Sequence, residues 1–352
     1  MTTAGAEPPV PGSEHRVPTP DDGESGGPGG PGGPSPGGAP DGGVGAPGAA
    51  PLRSGFVTVV GRPNVGKSTL VNCVLGTKVT ITSPRPNTTR RSVRGVLHRP
   101  GVQAVFVDTP GLHRPRTALG KRLNEQVAEA LGDIDVVVPV LDATAAIGPG
   151  DRLVLERAAA TCAARPAPGG AGPLSQLLVV VNKVDLASDA QVLERLAGAS
   201  EVIESHGGAD AGAEFFPLSA VTGKGVDALV DSVLCRLPEG PPYFPEDMVS
   251  DVSEAFWVAE LVREQLLAHV REELPHSIAC RVAEWEWPRV RIDIIVERDS
   301  QKGMVIGKGG AMLKEVGTAV RKQLPPGAYI ELRVRVEKRW QQRPDVIERF
   351  GY

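Results

Sequence analysis

From residue 55 onward, short apolar runs alternate with longer segments whose apolar residues recur every three or four positions. FVTVVG (56–61), QAVFVDTPG (103–111), VVVPVLDA (136–143), LLVVVNKVD (177–185) and EFFPLSA (214–220) are apolar almost throughout. That is the pattern of strands buried on both faces. KSTLVNCVLG (67–76), KRLNEQVAEALG (121–132) and VDALVDSVLCRL (226–237) instead carry an apolar stripe at helical spacing. Apolar strands separated by helices predict an α/β domain on a mostly parallel sheet covered on both sides. Pro139 interrupts one strand and removes a ladder donor, so a strand end, a bulge or a sheet edge is expected there. AARPAPGGAGPLSQ (163–176) breaks the pattern and reads as a flexible surface loop.

After the proline-rich LPEGPPYFPEDM (237–248) the pattern changes to α-β-β-α-α-β. The helix is 254–274 and the strands are 276–287 and 289–299. A helix–turn–helix follows, through QKGMVI, GKGG and AMLKEVGTAVRKQL, and the last strand is 328–340. Ile292, Ile294 and Val296 fall on one strand face, and Leu332, Val334 and Val336 do the same, with Arg333 and Arg335 opposite. A three-stranded sheet backed by helices is expected. The boundaries follow: a tail at 1–52, a first domain at 53–240, a linker at 241–252 and an α+β domain at 253–352. The tail contains GESGGPGGPGGPSPGGAPDGG, with no aromatics and few aliphatics. It cannot bury enough apolar surface to offset its chain entropy, so disorder is expected. It lacks the sustained Gly-x-y register of collagen.

Composition narrows the classes. No run reaches the roughly 18 apolar residues of a spanning helix. Cys73, Cys162, Cys235 and Cys280 are far apart and without metal-ligand spacing, as in a cytosolic protein with reduced thiols. His113 reads as a solvated loop histidine rather than a ligand.

GRPNVGKS (61–68) matches G-x-x-x-x-G-K-[ST] between a strand and a helix, the context a phosphate-binding loop requires. Gly61 to Gly66, through Arg62, Pro63, Asn64 and Val65, would turn backbone N–H groups towards phosphate oxygens. Lys67 would reach the β- and γ-phosphates, and Ser68 would ligate Mg²⁺. DTPG places Asp108 near the Mg²⁺ shell, and Thr109, Pro110, Gly111 and Leu112 on the γ-phosphate side, with the Gly111 N–H as donor. NKVD comprises Asn182, Lys183, Val184 and Asp185. Its Asp185 carboxylate suits the N1–H and amino donors of guanine and would repel adenine. Ser219 and Ala220 end the next strand, where the Ala220 N–H is a candidate donor to guanine O6. Together these segments select GTP and GDP over ATP. In NTTRR (87–91), Thr89 is preferred to Thr88 as a Mg²⁺ ligand in the triphosphate state. Leu112 stands where a water-orienting glutamine is found in Ras. Slow hydrolysis is therefore expected, with Asn64 holding a monovalent cation such as K⁺ against the phosphates.

GKGG is not a second such loop, because Gly309 replaces the Mg²⁺-binding hydroxyl residue. Gly307, Lys308, Gly309 and Gly310 form a G-x-x-G between two helices. This is the KH arrangement, which clamps the backbone of about four single-stranded nucleotides. Val305 and Ile306 are expected to pack under the bases, and Lys314 to add charge. Residues 300–343 hold ten Lys/Arg against three acidic residues, on a chain of formal charge −4. Such a local surplus favours nucleic-acid phosphates.

GFVTVVGRPNVGKSTLVN, TTR, VDTPGLH, NKVD and SA, followed by FPED, VERDSQKGMVIGKGGAMLKEVGTAVR, ELRVRVEKRW and a terminal GY, resemble the Era family of bacterial GTPases over about 53–352. The resemblance implies slow GTP hydrolysis and KH binding of the 3′ end of small-subunit (16S) rRNA. It also implies a role in small ribosomal subunit maturation and peripheral attachment to the inner membrane; a monomer in the cytoplasm is expected. The tail and the 163–176 segment depart from the family pattern without touching a motif. Leu112 keeps open an RNA-binding module whose nucleotide domain turns over little. A third reading places the basic face on anionic lipid.

Overall fold

The structure is a computed structural model that describes residues 52–112, 115, 117–132, 134–165, 172–208, 211–270 and 274–352. The tail expected at 1–52 (save Leu52), His113 and the middle of the 163–176 segment lie outside the described residues.

The first domain runs β1 (Arg53–Gly61), α1 (Lys67–Leu75), β2 (Val93–Arg99), β3 (Val102–Asp108), α2 (Ala118–Ala130), β4 (Val136–Asp142), α3 (Pro149–Ala163), β5 (Leu178–Asn182), α4 (Asp189–Gly207), β6 (Glu214–Pro217) and α5 (Val226–Arg236). Its sheet has the order β2-β3-β1-β4-β5-β6. All neighbours are parallel except the β2–β3 pair. One face buries α1 and α5 through Leu70, Val74, Leu229 and Val233. The other buries α2, α3 and α4 through Val127, Leu155, Ala199 and Val202. The carboxyl ends of β1, β3, β4 and β5 therefore open at one edge, where ligands bind in such sheets.

Three elements were not evident in the sequence pattern. Strand β2 is an edge whose apolar residues are interrupted by Arg94, Gly95 and His98. Helices α3 and α4 are rich in alanine and charge, which blurs the apolar stripe. The start of α4 is nonetheless signalled by Ser188 and Gln191, whose side chain and backbone groups bond reciprocally. Pro139 corrects the expectation of an edge or a strand end, because β4 lies between β1 and β5 in mid-sheet. The Val137 N–H donates to Gln176 O, and two residues on, where a parallel ladder would donate again, stands Pro139. The β4–β5 ladder resumes at Val140–Val180. The loop expected over 163–176 is also corrected in part, since Leu174 is fully buried in the core.

The second domain runs α6 (Glu254–His269), α7 (Leu274–Ser277), β7 (Ala279–Glu286), β8 (Arg289–Val296), α8 (Asp299–Ile306), α9 (Ala311–Arg321), β9 (Tyr329–Val336) and α10 (Pro344–Arg349). Strand β8 is central, antiparallel to β7 and parallel to β9. The parallel return is carried by α8 and α9. Ile292, Ile294 and Val296 pack with Leu261, Leu266, Val305, Val316 and Val320 on the helical side. Ile295 faces the other way, into a cluster with Trp340, Val346, Ile347, Phe350 and Tyr352. That cluster also takes in Leu119 and Leu123 of α2, so it is shared by the two domains. The connecting segment is pinned along β2 and the start of β3: the Val96 N–H donates to Val249 O, and the Gln103 side chain bonds Tyr243 and Phe244. It covers a strand edge that would otherwise be open. No helix among the described residues is long and apolar enough to cross a membrane.

Candidate nucleotide and nucleic-acid sites

The loop between β1 and α1 is held by close packing that admits only glycine at two positions. A Cβ on Gly61 would sit 2.7 Å from Val140 O. Gly66 has φ 98° and lies against the Asn182 amide. Asn182 spans the site. Its Nδ2 donates to Val65 O at 2.8 Å, and its Oδ1 accepts the Ala220 N–H at 2.9 Å. Asn182 thus ties the Ala220 N–H, at the end of the β6 segment, to the phosphate loop. Lys183, at φ 68°, reaches Asn64 O (2.7 Å) and Asp142 (2.6 Å). Two residues of NKVD therefore brace the phosphate loop, while Asp185 is exposed beyond it and Val184 donates its N–H to Leu218 O. Arg62 is paired with Asp151 of α3. Ser219 is buried and accepts the Thr222 N–H. Gly111 packs against Pro63, whose N would be 2.6 Å from an added Cβ. Leu112 is buried and donates its N–H to Gly61 O. Thr109 is tied to Val59 O, next to Pro110, so the DTPG turn follows directly from β3.

Asp108 is the centre of this arrangement. Its Oδ2 accepts from Ser68 (2.7 Å), Thr80 (3.0 Å) and Thr89 (3.2 Å), and Ser68 and Thr89 lie 2.9 Å apart. Thr88 points elsewhere, donating to Arg85 O. The other carboxylate oxygen, Oδ1, is buried without a hydrogen-bond partner. Burial pushes the Asp108 carboxyl up, against the pull of Lys67 and the three hydroxyls. Hard oxygens around a carboxylate with an unused lone pair fit Mg²⁺. Ser68, Thr89 and Asp108 would hold it, and the cation would supply charge neutralisation at the phosphates. Thr80 was missed by sequence reasoning, as was Asp142, since neither sits in a motif. Lys67 is buried with Nζ on Arg62 O. Burial lowers its pKa to about 8, with Asp108 opposing.

In the second domain, α8 ends at Gly307 and α9 begins after Gly310. Gly307, Gly309 and Gly310 all have positive φ, 74°, 59° and 79°. A Cβ on Gly307 would meet Met312 at 2.9 Å, whereas Gly309 and Gly310 open onto free space. Lys308 and Lys314 are exposed beside the loop. Ile306 is half-buried. Val305 is 0% exposed and belongs to the core, so it supports the loop from below and does not reach bases, which corrects its expected role. Part of the basic surplus is paired internally: Arg333 with Glu331, Arg335 with Asp293 and Arg343 with Glu337.

Residues 56–183 match the family of 50S ribosome-binding GTPases, and residues 273–341 match the KH domain. The GTPase Era of Mycobacterium avium is 46% identical over 312 residues, 86% of this chain and 99% of that protein. This chain belongs to the Era GTPases. Era of Mycobacterium tuberculosis strain H37Rv is likewise 46% identical, over 313 residues. Two solved Era structures superpose with TM-score 0.75 over 86% of this chain and 99% of theirs. One, 37% identical, is a complex with MgGDPNP and nucleotides 1506–1542 of 16S ribosomal RNA. The other, a single-substitution variant of Aquifex aeolicus Era bound to GDP and AlF4⁻, is 36% identical. As an Era GTPase the chain binds and hydrolyses GTP, with a P-loop domain followed by a KH domain.

The buried Lys67 amine yields a prediction for the nucleotide-free protein. Below about pH 8 the folded state bears the full cost of a buried charge. Between there and 10.5 the unfolded chain binds the proton more readily than the folded one, so stability rises with pH. Lys67→Met should therefore melt above wild type at pH 7, with the gap closing towards pH 10.5. A gap independent of pH in calorimetry would contradict this assignment.

Proposed function

We propose that the chain is a GTP-driven switch whose KH domain binds the single-stranded 3′ end region of 16S rRNA and serves small-subunit assembly and rRNA maturation. The observation that carries this reading is the presence, in one chain, of two glycine loops of different chemistry. One leads into a helix beside a buried carboxylate–hydroxyl cluster. The other is an exposed, lysine-bearing G-x-x-G turn. The solved Era that holds both MgGDPNP and nucleotides 1506–1542 supports the pairing of ligands.

In this reading Lys67 and the 61–66 backbone hold the phosphates, Asp185 selects guanine, and Thr89 joins the Mg²⁺ shell only with the triphosphate. Gly111 follows the γ-phosphate, so residues 87–91 and 108–112 change on hydrolysis. Leu112 neither accepts a proton nor orients water, so intrinsic turnover is slow. Asn64 donates its amide N–H to Pro84 O at 2.8 Å, which leaves its oxygen as an acceptor for K⁺. Gly307–Gly310 with Ile306, Lys308 and Lys314 grip the RNA backbone. Four free cysteines fit a reducing, cytoplasmic setting, and the chain acts as a monomer.

Lys67→Ala should abolish GTP binding while leaving affinity for a single-stranded 16S 3′-end RNA intact. Lys308→Glu with Gly309→Asp should do the reverse, weakening RNA by about tenfold or more through lost phosphate contacts. Unaltered RNA affinity in the double variant would remove the KH assignment. Turnover should be faster in K⁺ than in Na⁺, and equal rates would remove Asn64 from its role.

A further inference from the structure

The segment between α1 and β2, which carries Thr89, is gripped by the other domain. Glu264 of α6 accepts the Thr82 N–H at 2.9 Å and pairs with Lys78. Arg85 donates to Val270 O. Two further anchors flank Thr89 directly. Arg263 of α6 is 0% exposed, is bound by Glu260, and donates to Thr88 O. Arg90 is 2% exposed although it belongs to the nucleotide domain. Its guanidinium enters the KH domain and donates to Ile278 O (2.6 Å), His276 O (3.0 Å) and Pro275 O (3.1 Å). Its central carbon lies over the rings of Trp340 and Tyr352, 5.7 and 5.6 Å from their centroids.

A residue has two soft backbone torsions. Arg263 fixes the peptide plane before Thr89, and the socket around Arg90 fixes the residue after it. Between these anchors Thr89 has little freedom left, and its hydroxyl rests on Ser68 and Asp108. We propose that the KH domain supplies positioning residues for the GTP site: Arg263, and the Trp340–Tyr352 socket acting through Arg90, hold Thr89 at Asp108 and thereby set the preference for GTP over GDP. The inference rests on the reading of Thr89 as a Mg²⁺ ligand of the triphosphate state. By linkage, any partner that shifts the KH domain shifts GTP affinity, and GTP shifts the KH domain by the same factor.

The test measures affinities of the full chain for GDP and for a non-hydrolysable GTP analogue, both with Mg²⁺. Arg90→Met keeps bulk but loses the three carbonyl bonds and the charge. Tyr352→Leu leaves every nucleotide-site residue in place and guards against misfolding of the first variant. The expected result for Arg90→Met is a loss of about tenfold in affinity for the analogue, with GDP within about twofold. Tyr352→Leu should move the same ratio in the same direction by less. In a Thr89→Ala background Arg90→Met should have no further effect on the ratio, because the group it positions is gone. An unchanged ratio, an equal loss for both nucleotides, or additive effects in the double variant would overturn the proposal. Failure of the underlying reading is separately visible: Thr89→Ala alone would then match wild type in its nucleotide ratio.

Discussion

Asp108 carries one oxygen crowded by three hydroxyls and a second oxygen with no hydrogen-bond partner, in a position closed to water. Burying a carboxylate disfavours its charged form, and a neighbouring amine and hydroxyls offset only part of that cost. A divalent cation would complete the balance. Gly61, Gly66 and Gly111 let three chain segments approach one another without Cβ clashes. Asn182 and Lys183 lock the phosphate loop to β5. Thr109 continues β3 straight into the turn. The G-domain site is a set of backbone segments converging on one buried carboxyl group.

The same carboxylate links the two domains. Thr89 meets it from a segment whose other contacts are made largely by α6, α7 and the C-terminal cluster. A helix of the KH domain and, through Arg90, the Trp340–Tyr352 cluster thus bear on the residue whose hydroxyl meets Asp108. Coupling of this kind needs no long relay, because the shared element is only Thr88, Thr89 and Arg90. The apolar cluster of Trp340, Phe350, Leu119 and Leu123 gives the second domain a fixed seat against the first.

Much of this was legible in the sequence where chemistry demands local spacing. The P-loop, DTPG, NKVD and G-x-x-G motifs each need neighbouring residues in a set order, and each lies at the strand or helix end that its pattern predicts. Pro139 misled because proline signals an edge on average, whereas here the sheet keeps β4 central and omits one ladder bond. Leu174 lay in a Gly/Pro-rich stretch whose composition concealed a buried anchor. Val305 was assigned to RNA because it precedes the glycine loop, but period and burial place it in the core. Arg90 and Ile278 are 188 residues apart, as Arg263 and Thr88 are 175, and nothing local marks such pairs. Thr80 and Asp142 serve the site from outside any motif.

In the proposed reading the two glycine loops belong to one coupled device. That coupling is tested most directly by GTP turnover of the purified full chain in K⁺, with and without a single-stranded RNA copying the 16S rRNA 3′ end. Turnover should be faster with RNA. Tight RNA binding with unchanged turnover would contradict the coupling and leave two sites that work independently.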